Sequence, residues 1–284
     1  MTLDVETLVR RTDSVSSLPM IFNRINDAVN NPRSSISEIG KIISEDSGLT
    51  ARLLKIVNSA FYSFPSKIET ISRAVTIVGT QQLRDLALAT SVMSLFKGVS
   101  EDLMSMNSFW CHSVACGTAA RVIATQRRES NVERFFVAGM LHDIGRLVLC
   151  VKMPDTFRSV LLQAQVDRAL LYKVEMKELG FDHASIGGAL LQSWKLPASL
   201  EEAVTCHHRP NSSVRYPVES AVIHLADIIS HALGLGSSGE RFVPALDAHA
   251  WDRLGIEPSQ LPLIVKQIDL QYQEAVQTIL GDAK

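Results

Sequence analysis

The chain has 284 residues, with 28 Lys+Arg against 30 Asp+Glu and a formal net charge of −2, which withholds the electrostatic term most nucleic-acid binders depend on. At 46% hydrophobic and 20% charged residues it reads as a folded protein of one large domain or two modest ones. No apolar run reaches the roughly 18 residues of a membrane span, and MTLDVETLVRRTDSV lacks the apolar stretch of a signal peptide, so a cytoplasmic location is expected.

Helical periodicity begins early. Ile21, Ile25, Ala28 and Val29 repeat on one face, followed by Ile39, Ile42 and Ile43, then Leu49, Leu53, Ile56 and Val57. Asn31-Pro32, Ser47-Gly48, Phe64-Pro65 and Gly79 punctuate the pattern. The stretch 41–59, KIISEDSGLTARLLKIVNS, has the cadence of a helix-turn-helix, with Gly48 in the turn and Arg52, Lys55 and Asn58 on the second helix. A DNA reader needs a basic surface beside such a helix. Residues 1–100 carry 11 Lys+Arg against 9 Asp+Glu, so the segment is read as a plain helical hairpin and not as a DNA binder. Phe61, Tyr62 and Phe64 before Pro65 read as an aromatic plug at a helix end. AVTIVG at 74–79 is β-branched, yet SRAVTIVGTQQLRDLALATSVM reads better as two abutting helices. With no useful alternating run, the expected fold class is all-α.

GVSEDLMSMNS (98–108) separates this helical half from a second one. A looser stretch, GLGSSGERFVP (234–244), precedes the final helices, and PSQLPLIVKQIDLQYQEAVQTIL reads as an amphipathic C-terminal helix. The expected division is 1–100, 101–235 and 236–284. The four cysteines, Cys111, Cys116, Cys150 and Cys206, stand in apolar helical context without a CxxC and read as buried reduced thiols.

The second half holds the chemistry. His112, the adjacent pair His142-Asp143, His183, the pair His207-His208 and Asp227 all have apolar neighbours. A histidine or aspartate in a core helix costs free energy without a partner, and imidazole with carboxylate suits a divalent ion. Taken singly, each such histidine is more often a hydrogen-bonded core residue than a ligand. The whole series leaves two readings open, a metal centre or several separate core networks. His142 and Asp143 read as adjacent residues of one helix, with side chains that diverge by about 100°, so one ion can take the histidine while the carboxylate reaches across to a second. Arg146, one turn on, could then offer its guanidinium to a phosphate.

The order H…HD…H…HH…D, with GMLHDIG, resembles the HD phosphohydrolase superfamily. The flanking stretches are more specific. LPMIFNRINDAV, ISEIGKIISEDSGLTARLLKIVNSAFY, IETISRAVTIVGTQQLRDLALA, FVAGMLHDIGRLVL, ELGFDHASIGGALLQSWKLP and VTCHHRP resemble the HDOD domain, the HD-related output domain of bacterial signalling proteins, over roughly residues 15–233. The resemblance implies a helical N-terminal bundle packed on an HD-like helical core, acting as a signalling output or scaffold module, mostly without hydrolase activity. His112, His142, Asp143, His183, His207, His208 and Asp227 match ligand positions of the related HD-GYP phosphodiesterases, implying one or two divalent ions (Fe, Mn, Zn or Mg). Three positions depart from the active pattern. Arg209 stands where Glu would follow the HH pair, Arg215 replaces the glycine of GYP before Tyr216-Pro217, and Arg146 replaces a lysine. Little or no cyclic-di-GMP hydrolysis is therefore expected, although Arg146 and Arg209 could still contact a phosphate or nucleotide. The alternative is a metal-dependent phosphohydrolase acting on a nucleotide or other phosphate ester. The partner implied is a signalling protein, without membrane or DNA.

Overall fold

The computed structural model describes residues 4–10, 17–59, 62, 64–96 and 99–281. Among them there is helix and no strand, so the all-α class holds. The chain forms two compact units by contact. One comprises residues 17–95 with 269–284, the other residues 1–16 with 96–268. This grouping does not follow chain order. Helix α1 (Val5–Arg10) belongs with the unit that contains the histidines, and the last residues of the chain with the other. The reason for the first is direct: Leu8 and Val9 are buried, and α1 packs on the helix that opens with His183.

The 17–95 unit is built from α2 (Met20–Asn30), α3 (Ile36–Ser44), α4 (Ser47–Val57), α5 (Ile71–Val78) and α6 (Thr80–Val92). Side-chain caps start three of them: Ser35 accepts from Glu38 N, Asp46 from Leu49 N and Thr70 from Arg73 N. Phe22, Ile25, Ile43, Leu49, Leu53, Ala74 and Leu83 form its core. The hairpin of α3 and α4 is present, but Gly48 lies inside the first turn of α4; the turn itself is Glu45-Asp46, because the Asp46 cap starts the helix earlier. Asn58 is fully engaged internally, donating to Leu54 O and Ile68 O and accepting from Ile68 N. Gly79, at φ 106°, breaks the α5–α6 line where two abutting helices are expected. The expected aromatic plug falls partly outside the described residues at Phe61; Tyr62 and Phe64 stack with centroids 5.5 Å apart.

The 96–268 unit contains α7 (Met106–Gln126), α8 (Val132–Leu141), α9 (Ile144–Lys152), α10 (Pro154–Asp167), α11 (Leu171–Leu179), α12 (His183–Ser193), α13 (Ala198–Cys206), α14 (Pro217–Ala232) and α15 (Ala248–Leu254). Helix α16 (Leu261–Ile279) follows a 3-10 turn at Pro258–Gln260 and starts three residues later than the sequence suggests. Helix α7 is buried nearly all round from Phe109 to Ala124, as a helix apolar on every face must be. Helices α8 and α14 cover it. The α7–α8 contact depends on two glycines, since a Cβ on Gly139 would stand 2.7 Å from both Cys116 O and Gly117 Cα.

That approach is testable. Gly139→Ala must push α8 off α7, and overpacking of this kind costs about 1–3 kcal/mol. Urea denaturation should show the loss, and an unchanged midpoint would contradict the close contact.

Candidate metal centre

The seven sequence-predicted residues converge from five places. His112 lies mid-way along α7. His142 and Asp143 form the joint between α8 and α9. His183 opens α12, His207 and His208 follow α13, and Asp227 lies in α14. The pair His142-Asp143 is not on one continuous helix. His142 is the C-cap of α8, and Asp143, at φ −99° and ψ 9°, precedes the first residue of α9. The break follows from Asp143, an N-terminal residue by preference whose carbonyl accepts from Arg146 N at 2.9 Å. His112, His142, Asp143, His183 and His207 are at most 1% exposed and Asp227 is 2% exposed; His208 is half-buried.

Hydrogen bonds fix which ring nitrogen faces inward. His142 Nδ1 lies 2.7 Å from Gly139 O, and His207 Nδ1 lies 2.7 Å from Val204 O. A carbonyl can only accept, so each Nδ1 donates and each Nε2 is the nitrogen turned inward, offering a lone pair whenever it carries no proton. His183 Nδ1 donates to Glu175 Oε2 at 2.6 Å, with the same result. His142 and His207 cap their helices and use the same device, the otherwise unpaired carbonyl three residues back.

These inward atoms crowd together without bonding one another well. His142 Nε2 and His207 Nε2 are buried and make no hydrogen bond of good geometry. Asp143 faces two sets of donors. Its Oδ1 is 2.8 Å from His183 Nε2 and 3.9 Å from His207 Nε2, while its Oδ2 is 3.2 Å from His142 Nε2 and 3.9 Å from His112 Nε2. His208 Nε2 stands 3.0 Å from His183 Nε2. Asp227 Oδ1 lies 3.2 Å from His112 Nε2, 3.4 Å from His142 Nε2 and 2.8 Å from His231 Nδ1. Asp143, His183, His207 and His208 offer four ligand atoms within 4.8 Å of one another, and His112, Asp227 and His231 offer three more. Buried lone pairs and carboxylate oxygens aimed at common points are a donor set that could hold a divalent cation.

Without an ion, protons and Arg146 carry the positive charge. Burial opposes charging of His142, yet Asp143 holds its pKa well above the ordinary value. His183 is pushed up to about 9: burial and Arg146 oppose the proton, and Glu175 and Asp143 outweigh them. His207 falls to about 3, through burial and then the positive charge on His142 and His183. Burial would raise the carboxyl of Asp143, but Arg146 and His142 keep it well below the usual range. Burial raises the thiol of Cys116, which therefore does not compete as a thiolate; Cys116, Cys150 and Cys206 are buried and free, whereas Cys111 is only partly buried.

The two arginines are placed differently from expectation. Arg146 is 1% exposed, and its Nη1 donates to Asp143 Oδ2 at 2.8 Å and to the Ser238 carbonyl and hydroxyl. Its guanidinium is spent inside the protein instead of facing a phosphate, because the buried Asp143 charge claims it. Arg209 is half-exposed and bonds Asp182 Oδ2 at 2.8 Å. Sequence reasoning missed four contributors. Glu175 orients His183, His231 holds Asp227, Tyr172 stacks on His208 at 4.1 Å, and His224 donates to His207 O at 2.8 Å. Glu175 had a signal, since it shares the buried face of α11 with Leu171 and Val174. So had His231, one turn after Asp227.

Two outcomes follow from this geometry. Glu175→Gln removes the charged acceptor behind His183, and metal affinity should fall about 10–100-fold, as measured by competition with a chelator dye. In metal-free protein, His183 has a folded pKa of about 9 against an ordinary 6.5. Its contribution to stability is thus complete below pH 6.5 and is lost as pH rises through about 9. Urea midpoints of chelator-treated protein should decline across that window, and a flat or rising trend would contradict it.

Comparison with known proteins agrees with this architecture. The HDOD domain family model matches residues 15–210. An HDOD domain protein of unknown function from Geobacter sulfurreducens has 26% identity and a TM-score of 0.76, covering 96% of this chain and 97% of its own. A Shewanella amazonensis protein provisionally named a phosphohydrolase gives the same identity, coverage and TM-score. An uncharacterized protein of Treponema pallidum is 28% identical over 222 residues, 76% of this chain; the chain spans only 42% of that relative's length. The chain belongs to the HDOD domain family.

Proposed function

We propose that this protein is a signal-transduction output or scaffold module whose His/Asp centre holds one or two divalent ions (Fe, Mn, Zn or Mg) in a structural role, with little or no turnover. The subdomain 101–235 carries that centre, a protein partner receives the signal, and the setting is cytoplasmic; among the described residues no helix is long and apolar enough to cross a membrane. The observation that carries this reading is enclosure. A catalytic ion keeps a ligand position open to water or substrate. Here six of the seven expected donors are at most 2% exposed, and the seventh, His208, lies under the Tyr172 ring. Arg146 already supplies a buried positive charge to Asp143 Oδ2.

In this reading Asp143, His183, His207 and His208 hold one ion, and Asp143 also faces His112 and His142, which with Asp227 and His231 would hold a second. A bound ion would neutralise the facing carboxylates and lone pairs, the work that protons do without it. The positions that depart from the active HD-GYP pattern are engaged elsewhere: Arg209 pairs with Asp182 and Arg215 with Glu202. Of the two arginines expected to contact a phosphate, Arg146 is buried and Arg209 is the one exposed to a ligand from solvent.

A metal-dependent phosphohydrolase is the second reading. It is favoured by the complete donor set, by the two oxygens of Asp143 facing separate groups, and by the provisional name of the Shewanella relative.

Elemental analysis of protein purified without chelator, with assays on cyclic-di-GMP and bis-p-nitrophenyl phosphate in added manganese or iron, separates the two. The expected result is bound metal that disappears in Asp143→Ala, without turnover. Robust turnover that His142→Ala abolishes would overturn the module reading in favour of the hydrolase.

A further inference from the structure

The centre leaves one feature of the same unit unused. A cleft of about 380 Å³ opens between the start of α7, helix α10 and the segment 237–242, within the size range of small-molecule sites. Its walls are apolar at Leu103, Met104, Leu161, Leu171 and Phe242, and Arg158 and Arg241 line it from exposed positions. Neither guanidinium has an ion pair or hydrogen bond among the described residues. Of the two acids in the wall, Asp102 is exposed, and Glu240 is 6% exposed and already committed. Its Oε2 accepts from Leu171 N at 2.6 Å and its Oε1 from Arg241 N at 2.8 Å and Phe242 N at 3.0 Å.

The segment that walls the cleft also reaches the centre. Gly236, at φ 72°, lies so close to His112 N that a Cβ there would collide with it. Ser237 N donates to Ser108 O at 3.1 Å, Ser238 accepts from Arg146, and Glu240 accepts from the first amide of α11. Helix α11 in turn carries Tyr172 and Glu175, which hold His208 and His183. One short stretch thus touches α7, α9 and α11, three of the helices that position the centre.

We infer that this cleft is an effector site for a small organic anion with an apolar body, and that residues 236–242 transmit its occupancy to the His/Asp centre. The two guanidinium groups meet the anionic head, the apolar walls take the body, and coupling requires only that the ligand favour one arrangement of the segment. Binding does not depend on any metal.

The probe is naphthalene-2-sulfonate, titrated calorimetrically into the metal-free full chain, with uncharged 2-naphthalenemethanol as its partner. The expected result is one saturable site for the sulfonate. Its affinity should fall about tenfold or more in the double variant Arg158→Ala with Arg241→Ala, and likewise in Ala169→Phe, which fills the cleft. The neutral compound should bind correspondingly more weakly. Amide hydrogen exchange should slow on binding in residues 236–242 and also in 142–148, which carry the centre and lie outside the cleft wall. Absence of saturable binding, or binding indifferent to both variants, overturns the site. Slowing confined to 236–242 overturns the transmission. Both readouts are taken without metal, so failure of the metal reading leaves them interpretable.

Discussion

One buried charge organises the larger unit. A carboxylate alone in a protein interior would rather take up a proton than stay ionised. Asp143, 1% exposed, stays ionised because Arg146, His142 and His183 bring positive charge or hydrogen bonds to it. Each partner makes its own demand. His183 needs Glu175 behind it, Arg146 needs Ser238, and His142 needs the carbonyl of Gly139. Holding one carboxylate thereby recruits α8, α9, α11, α12 and the segment after α14, and the close approach at Gly145, where any Cβ would strike His183 O, lets α9 and α12 come together there.

The helices were legible because their apolar positions repeat, and the site because its polar residues interrupt that repeat. The same repeat hid the break at His142-Asp143: Leu141, Ile144, Leu147 and Val148 keep helical spacing across it, so a reading by period alone runs one helix through the joint. Glu175 was overlooked because a glutamate in a charged stretch such as KVEMKEL reads as solvated surface, and only its register with Leu171 and Val174 betrays its burial. The Gly- and Ser-rich composition of 234–244 suggested a loose connection. In the fold, Gly236 is what allows backbone to lie against α7, and Ser237 and Ser238 are hydrogen-bonded. Composition reports the conformations a segment permits, and the packed helices determine which one it takes.

The imidazoles owe their orientation mainly to backbone and not to one another. Gly139 O, Val204 O and His207 O set the rings of His142, His207 and His224. Two of these carbonyls belong to the last turns of helices, where no further amide arrives to bond them. Helix ends thus supply acceptors at fixed positions without any additional side chain, and a histidine at the cap can use one whatever its neighbours are. Residues chosen for packing determine where α8 and α13 stop, and so they determine ring geometry as well.

The break between α8 and α9 also gives the centre leverage. Helix α9 is nine residues long, or about 13 Å at 1.5 Å per residue, so a tilt of roughly 10° about the His142-Asp143 joint carries its far end about 2 Å. The joint is where donors from α7, α8, α12, α13 and α14 meet the carboxylate that precedes α9. A proton or a cation held there would sit at the start of a helix whose Cys150 end is the part that any tilt about the joint would displace most.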